Sequence, residues 1–192
     1  MFKKLIVFFS VAITFVVPFA IYFGIKYQLL TYVLALLIVV NLLRLVTIHF
    51  KNTKVKVLSY VSFLSVIILI VLSITQLVLK DLKLIYYYPV AVNLIFFVVF
   101  FTSLFSKEAI ITKFAKLIHP KLEQFEIDYT RKVTIAWCSF FVVNGLIALY
   151  TVLYDSIELW TLYNGLISYL AIGVLALIEL LIRKIVKAKH GK

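Results

Sequence analysis

The chain has 192 residues, of which 65% are apolar and 15% are charged, with a mean hydropathy of +1.13 and a formal net charge of +12. This composition is too apolar for a water-soluble core of this size, so it predicts a single integral membrane bundle, residues 1–192, and excludes a separate soluble catalytic domain. The basic residues lie at the ends of apolar runs, which indicates membrane topology rather than a nucleic-acid site.

Six apolar runs follow one another along the chain, and they predict an all-α, polytopic membrane protein. About 20 residues at 1.5 Å each cross a hydrocarbon core of about 30 Å. The first run is interpreted as a retained helix and not a signal peptide, because Pro18 stands where a small residue should precede cleavage after Ala20. The predicted spans cover residues 5–25, 29–49, 57–79, 84–105, 133–154 and 159–182.

The fourth run begins with three consecutive tyrosines, Tyr86–Tyr88. Tyrosines at this position are typical of the aromatic belt at a membrane interface, where the ring is partly buried and the hydroxyl stays wet. Pro89 follows within the first helical turn, where the missing amide costs least.

Residues 106–132 form the one long polar segment of the sequence, and they contain an amphipathic pattern. The pattern predicts a helix over about 107–118 that lies on the cytoplasmic membrane surface and ends at Pro120. Its apolar side holds Ile110, Ile111, Phe114, Leu117 and Ile118, and its polar side holds Lys107, Glu108, Thr112, Lys113, Lys116 and His119.

The distribution of basic residues predicts the orientation. If the N-terminus, the loop after the second span, residues 106–132 and the tail are cytoplasmic, 17 of the 20 basic residues face the cytoplasm. Only Lys26, Lys80 and Lys83 then face outward, which agrees with the positive-inside rule. Both ends of the chain are therefore predicted to be cytoplasmic.

The sequence contains no nucleotide-binding loop, no paired-cysteine motif and no zinc-protease motif. His119 has no second His, Cys or carboxylate at metal-ligand spacing, so we expect neither a metal nor another cofactor. These features favour a non-enzymatic protein. The candidate site residues are therefore the polar side chains inside the spans, which are costly in lipid and tend to face a bundle interior.

Four of these polar residues are predicted to share one layer near the membrane midplane. Measured from the cytoplasmic ends of their spans, Asn93 and Asn144 lie roughly 16 to 18 Å deep and Ser168 and Tyr169 roughly 20 Å deep. Asn164 lies deeper, at roughly 27 Å, so it should not face Asn144 directly. The layer could line a cavity between the fourth, fifth and sixth spans that accepts a headgroup or a small polar solute.

The tetrapeptide NGLI occurs twice, at Asn144–Ile147 and Asn164–Ile167. Glycine allows helices to approach closely and asparagine forms hydrogen bonds across the contact, so packing is the favoured interpretation of both pairs. Gly145, Asn164 and Gly165 are accordingly predicted to be helix contacts.

A second group of candidates lies at the inner interface: Tyr129, Arg131, Trp137, Glu179 and Arg183. Glu179 is the one carboxylate within a span, and Arg183 follows at i+4, so we expect an ion pair in preference to a proton relay. Trp137 is expected to anchor the helix at the interface. Alternatively, basic and aromatic residues at this level grip an anionic lipid headgroup.

The second half of the chain resembles an uncharacterised family of six-helix bacterial inner-membrane proteins and, more distantly, the intracellular septation protein A family. The segments that carry the resemblance are YYPVAVN at Tyr87–Asn93, YTRKVTIAWCSFFVVNG at Tyr129–Gly145, WTLYNGLISY at Trp160–Tyr169 and ELLIR at Glu179–Arg183. The resemblance implies a location in a bacterial inner membrane and an envelope or lipid-related role, and it names no catalytic residue.

Taken together, these patterns predict an envelope factor that contacts membrane lipids or envelope-synthesis membrane proteins and binds no nucleic acid. The alternative is a small transporter or lipid-handling protein that uses the polar layer. A membrane-embedded transferase is a third class, but it requires converging Asp, His or Glu pairs at one membrane face. The sequence offers one such pair, Asp155 and Glu158, and the polarity of a short loop explains it.

Overall fold

The computed structural model describes residues 17–49, 56–79, 84–154 and 156–189, and within these residues the fold is entirely helical. The all-α prediction is therefore confirmed for this part of the chain. Residues 5–16 of the first predicted span lie outside it. The helices are α1 (Val17–Lys26), α2 (Leu30–His49), α3 (Lys56–Leu79), a 3-10 turn (Leu84–Tyr87), α4 (Tyr88–Ser103), α5 (Ile110–Ile118), α6 (Gln124–Leu153), α7 (Ile157–Leu162), a π-helical turn (Tyr163–Ile167) and α8 (Ser168–Lys189).

Among the residues that the structure describes, three helical stretches are long and apolar enough to cross a membrane: Leu84–Ser103, Gln124–Leu153 and Ile157–Lys189. In the same part of the chain, three shorter apolar helices, at Val17–Lys26, Leu30–Val40 and Val66–Val78, overlap the first three predicted spans. Two helices extend beyond the predicted spans, since α6 begins at Gln124 and α8 continues to Lys189.

The early start of α6 is explained by a capping box. The backbone N–H of Glu123 donates to Glu126 Oε2 at 3.0 Å, and the Glu123 side chain accepts from the backbone of Glu126 in return. This exchange satisfies two amides that otherwise lack partners at a helix start. The polar residues 124–132 therefore belong to the long helix and not to the connecting segment.

The buried residues of α6 recur every three or four positions, so one face of the helix points into the bundle. Polar residues are prominent on that face, whereas the opposite face exposes Val143, Leu146 and Tyr150. This arrangement, with polar groups inside and apolar groups outside, is the reverse of a soluble helix. The buried set is Glu126, Thr130, Val133, Thr134, Cys138, Phe141, Asn144, Ala148, Thr151 and Val152.

The tyrosines at the start of α4 correct the aromatic-belt prediction. Tyr86 and Tyr88 are buried, and Tyr87 is the one with an exposed ring. Trp160 of α7 is 1% exposed, and its Nε1–H donates to the Tyr86 carbonyl at 3.0 Å. The 3-10 turn presents this carbonyl to the indole, so the aromatic residues fasten α7 to the start of α4.

The amphipathic helix α5 packs against α4 and α6. Ile110 joins Phe100 and Phe141 in an apolar cluster between these helices. Thr112, predicted on the polar side, is instead 1% exposed, and its hydroxyl lies 2.7 Å from that of Thr130. A hydroxyl pair satisfies both groups without water, which allows this side of α5 to be buried.

The last helix, α8, stands largely apart from the bundle. Ser168 is its one buried residue, and apolar side chains such as Leu170, Leu177 and Leu181 are exposed. The π-helical turn before it buries three consecutive residues, Tyr163–Gly165. α8 is thus fixed at its first residues and leaves a gap beside α6.

Candidate functional site

The gap beside α8 is a cavity of about 580 Å³. Its walls come from α4, α5, α6 and α8, with Pro18 of α1 at the edge. Most of the lining is apolar, and polar residues occur towards its two ends. The lining residues are Pro18, Tyr88, Pro89, Val92, Asn93, Phe96, Phe100, Ile111, Phe114, Ala115, Ile118, Trp137, Phe141, Asn144, Asn164, Ser168, Tyr169, Ile172, Ala176, Glu179 and Arg183.

One face of α8 lines the cavity from the start of the helix to Arg183. Tyr169, Ile172, Ala176, Glu179 and Arg183 contribute to the wall, and they are spaced alternately by three and four residues. From Tyr169 to Arg183 this face is about 21 Å long at 1.5 Å per residue. The cavity is therefore elongated along the helix axis.

A chain of hydrogen bonds forms the first polar end of the cavity. The Tyr163 hydroxyl donates to Asn144 Oδ1 at 2.8 Å, and Asn144 Nδ2 donates to Asn93 Oδ1 at 2.9 Å. Asn93 Nδ2 in turn donates to the Pro89 carbonyl at 2.8 Å. The structure thus brings the predicted pair Asn93 and Asn144 together between α4 and α6.

Asn164 makes a separate set of contacts, in agreement with its different predicted depth. Its Nδ2 donates to Thr151 Oγ1 at 3.1 Å and to the Trp160 carbonyl at 2.9 Å. The Ser168 hydroxyl donates to the Asn164 carbonyl at 3.3 Å. The two NGLI segments are therefore not equivalent. The Asn144 side chain bonds to α4, whereas the Asn164 side chain bonds to α6 and to the preceding helix, α7.

The two glycines of these segments also differ in their neighbours. A Cβ on Gly145 would lie 3.2 Å from Asn93 Cβ, and one on Gly165 would lie 3.0 Å from the ring of Phe19. Gly145 thus permits the close approach of α4 to α6, and Gly165 that of α1 to the π-helical turn. Both glycines therefore lie where two helical segments come close together.

We expect Gly145→Ala to cost about 1 kcal/mol of unfolding free energy relative to Gly173→Ala. Ala at position 145 presses on Asn93 Cβ, which cannot move without its backbone, whereas no atom lies within 4 Å of a Cβ at Gly173. Both substitutions carry the same gain in helix propensity, so the difference isolates the contact. Unfolding titration in detergent measures it, and equal stabilities contradict the close approach.

The second polar end of the cavity is built on the ion pair that the sequence predicted. Arg183 Nη2 and Nε lie 2.6 and 2.9 Å from Glu179 Oε1. The Tyr129 hydroxyl donates to the Glu179 carbonyl at 3.0 Å, which ties α8 to α6. One turn further on, Lys187 Nζ pairs with the buried Glu126 at 3.2 Å.

A smaller cavity of about 230 Å³ adjoins this end. It lies between the end of α5, the first turns of α6 and the last turns of α8. Cationic side chains are prominent in its lining. The lining residues are Ala115, Ile118, His119, Leu122, Phe125, Glu126, Tyr129, Thr130, Arg183, Lys184, Val186 and Lys187.

The remaining two predicted interface residues are separated from each other. Arg131 lines neither cavity, and its guanidinium donates to the Leu104 carbonyl at 2.5 Å. Trp137 lines the large cavity and packs against Phe100 and Phe141, with ring centroids 6.4 and 5.8 Å apart. Trp137 is thus half-buried and faces the large cavity, and its predicted role as an interface anchor stays a prediction.

The sequence missed several residues that build the site. Tyr163 and Thr151 complete the two hydrogen-bonded sets; Tyr163 adjoins Asn164 in the sequence, whereas Thr151 lies two helical turns from Asn144. Lys187 and Glu126 are far apart in sequence, so no local pattern pairs them. Within the described residues, no group of three or more His, Cys, Asp or Glu side chains could hold a metal ion.

Comparisons with known proteins identify no match to this chain. The chain matches no protein-family model, no curated protein and no solved structure. The resemblance drawn from the quoted segments therefore stays a prediction, and functional inference must come from the cavity and its lining.

Proposed function

We propose that this chain is an integral protein of the bacterial inner membrane, with six spans and both ends in the cytoplasm. Three apolar helices of sufficient length support insertion in a membrane. So does the arrangement of α6, which buries Asn144 and Thr151 while exposing Leu146. The concentration of basic residues in four segments supports the orientation.

Within that setting, we propose a non-enzymatic role in handling envelope lipids, in which the large cavity holds a lipid acyl chain. The observation that carries this proposal is the elongated, mainly apolar cavity between α4, α5, α6 and α8. Its volume of about 580 Å³ falls within the range of about 300 to 1,000 Å³ that is usual for small-molecule sites. An acyl chain is apolar along its length and matches such a lining.

The dimensions of the cavity agree with this occupant. The lining face of α8 is about 21 Å long. One leaflet of the hydrocarbon core is about 15 Å thick, half of the full core. A chain that enters at the Arg183 end and extends through one leaflet therefore lies along most of this face, towards Ser168 and Tyr169. The hydrogen-bonded asparagines at that level close the end of the cavity.

The two tryptophans provide a direct test. Trp137 lines the cavity, whereas Trp160 is 1% exposed and packs against Tyr86. We expect phosphatidylglycerol with brominated acyl chains, added to the protein in detergent, to quench Trp137 fluorescence in a saturable manner near one lipid per protein. The quenching should reach roughly half of the total emission, as one of two tryptophans is accessible.

The matched control is Trp137→Phe, which retains Trp160 as the reporter. This variant should lose nearly all of the saturable quenching. Quenching that rises linearly with lipid, or that persists in Trp137→Phe, indicates general contact with lipid and contradicts a defined acyl-chain site.

A further inference from the structure

The large and the small cavity meet at three shared residues, Ala115, Ile118 and Arg183. The first two come from the last turns of α5, and Arg183 comes from α8. The two spaces thus lie next to each other, and basic side chains are concentrated around the smaller one. A ligand that fills both must be amphiphilic, with its polar group beyond Arg183.

The charged side chains that line the small cavity indicate which class of polar group it favours. Arg183, Lys184 and Lys187 line it, against one carboxylate, Glu126. The positive charge still exceeds the negative when Glu179, the partner of Arg183, is included. A phosphate diester or a carboxylate suits this environment, since basic clusters at the level of the headgroups attract anionic lipids.

The cationic side chains retain donors for a ligand. Glu179 accepts from Nε and Nη2 of Arg183, which leaves the other N–H groups of a five-donor guanidinium. Lys184 takes part in neither of the two ion pairs on α8. Planar guanidinium groups bind the oxygens of phosphates and carboxylates in a directed manner, and a nearby ammonium adds charge.

We propose that the occupant is an anionic lipid whose acidic headgroup binds in the small cavity at Arg183, Lys184 and Lys187, while its acyl chain lies in the large one. This inference rests on the proposed acyl-chain site and adds the class of ligand. Ala115 and Ile118 contact the part of the lipid between headgroup and chain. The basic side chains in the last two turns of α8 therefore favour a lipid with a negatively charged headgroup.

The test uses two brominated lipids that differ in headgroup, anionic phosphatidylglycerol and zwitterionic phosphatidylcholine. For each lipid, we measure the concentration that gives half-maximal quenching of Trp137. We expect the anionic lipid to bind more tightly at low ionic strength, by about fivefold for each net positive charge at the site. Lys184→Gln should lower this preference about fivefold, and added salt should lower it as well. Lys189→Gln is the control, because Lys189 lies on the same helix and lines neither cavity.

The possible outcomes distinguish a failure of this inference from a failure of the proposed function. Equal half-saturation by both lipids, or equal effects of Lys184→Gln and Lys189→Gln, overturns the headgroup site and leaves the acyl-chain site standing. No saturable quenching by either lipid overturns both. Release of bound phosphatidylglycerol by millimolar glycerol phosphate, at constant ionic strength, assigns the small cavity to a free phosphate and likewise overturns the inference.

Discussion

Asn144→Leu is expected to destabilise the fold by about 1–3 kcal/mol, because it leaves the buried partners of Asn144 without hydrogen bonds. Asn93 Oδ1 loses its donor and the Tyr163 hydroxyl loses its acceptor. A simple loss of one interhelical hydrogen bond in lipid costs less, about 0.6–2 kcal/mol. The free energy of unfolding, measured by denaturing-detergent titration in mixed micelles, distinguishes the variant from the parent.

Two further variants make the result specific. Ser139→Leu on the same helix removes a hydroxyl that is exposed and bonds only to the Ile135 carbonyl, so it should change stability by less than about 0.5 kcal/mol. The double variant Asn93→Leu with Asn144→Leu should be less destabilised than the sum of the single variants, since neither amide is then left alone. Strict additivity indicates that the two asparagines act independently and contradicts the hydrogen-bonded pair.

The sequence left two roles open for the asparagine pair, helix packing and the lining of a cavity, and the structure gives evidence on both. Asn93 and Asn144 bond to each other, which is a packing role, and both line the cavity. The pair therefore holds α4 against α6 and closes the end of the cavity at the same time. If Asn144→Leu lowers stability but leaves the saturable quenching of Trp137 intact in the remaining folded protein, its main role is packing.

The sequence predicted those features that depend on local spacing or on helix depth. The helices follow from the apolar runs, and the Glu179–Arg183 pair follows from the i+4 spacing. The pairing of Asn93 with Asn144 follows from counting residues from the cytoplasmic ends. Each of these inferences needs only the rise and period of an α-helix.

Other features depend on how the helices are placed, which spacing does not determine. Tyr86 and Tyr88 are buried because Trp160, more than 70 residues later, covers this region and donates to the Tyr86 carbonyl. Tyr163 reaches Asn144 through the π-helical turn, and no local composition signals that turn. The cavity arises because α8 is held to α6 by Tyr129 and Lys187 side chains and not by close packing.

This placement of α8 explains why the apolar cavity is not filled by the side chains around it. Ser168 is buried at its start, and the Tyr129–Glu179 and Glu126–Lys187 contacts brace its far end. Between these points Ile172 and Ala176 line the cavity and do not fill the gap. A tightly packed pair would instead place interlocking side chains along the whole contact.

Ala176→Phe is expected to weaken lipid binding at least about tenfold by filling the middle of the cavity. Ala176 lines the space on α8 between Ile172 and Glu179, so a phenyl ring there occupies the path of the acyl chain. A loss of about 1.4 kcal/mol of binding free energy corresponds to the tenfold change. The half-saturation of Trp137 quenching by brominated phosphatidylglycerol measures it.

Ala171→Phe is the matched control, because Ala171 lies on the same helix and does not line the cavity. The two variants add the same apolar side chain to α8, so they share any general effect on insertion or solubility. Unchanged stability together with loss of quenching in Ala176→Phe alone indicates that the ring displaces a ligand and does not disturb the fold. Equal binding by both variants contradicts the acyl-chain site, because a chain in this cavity cannot pass a phenyl ring at position 176.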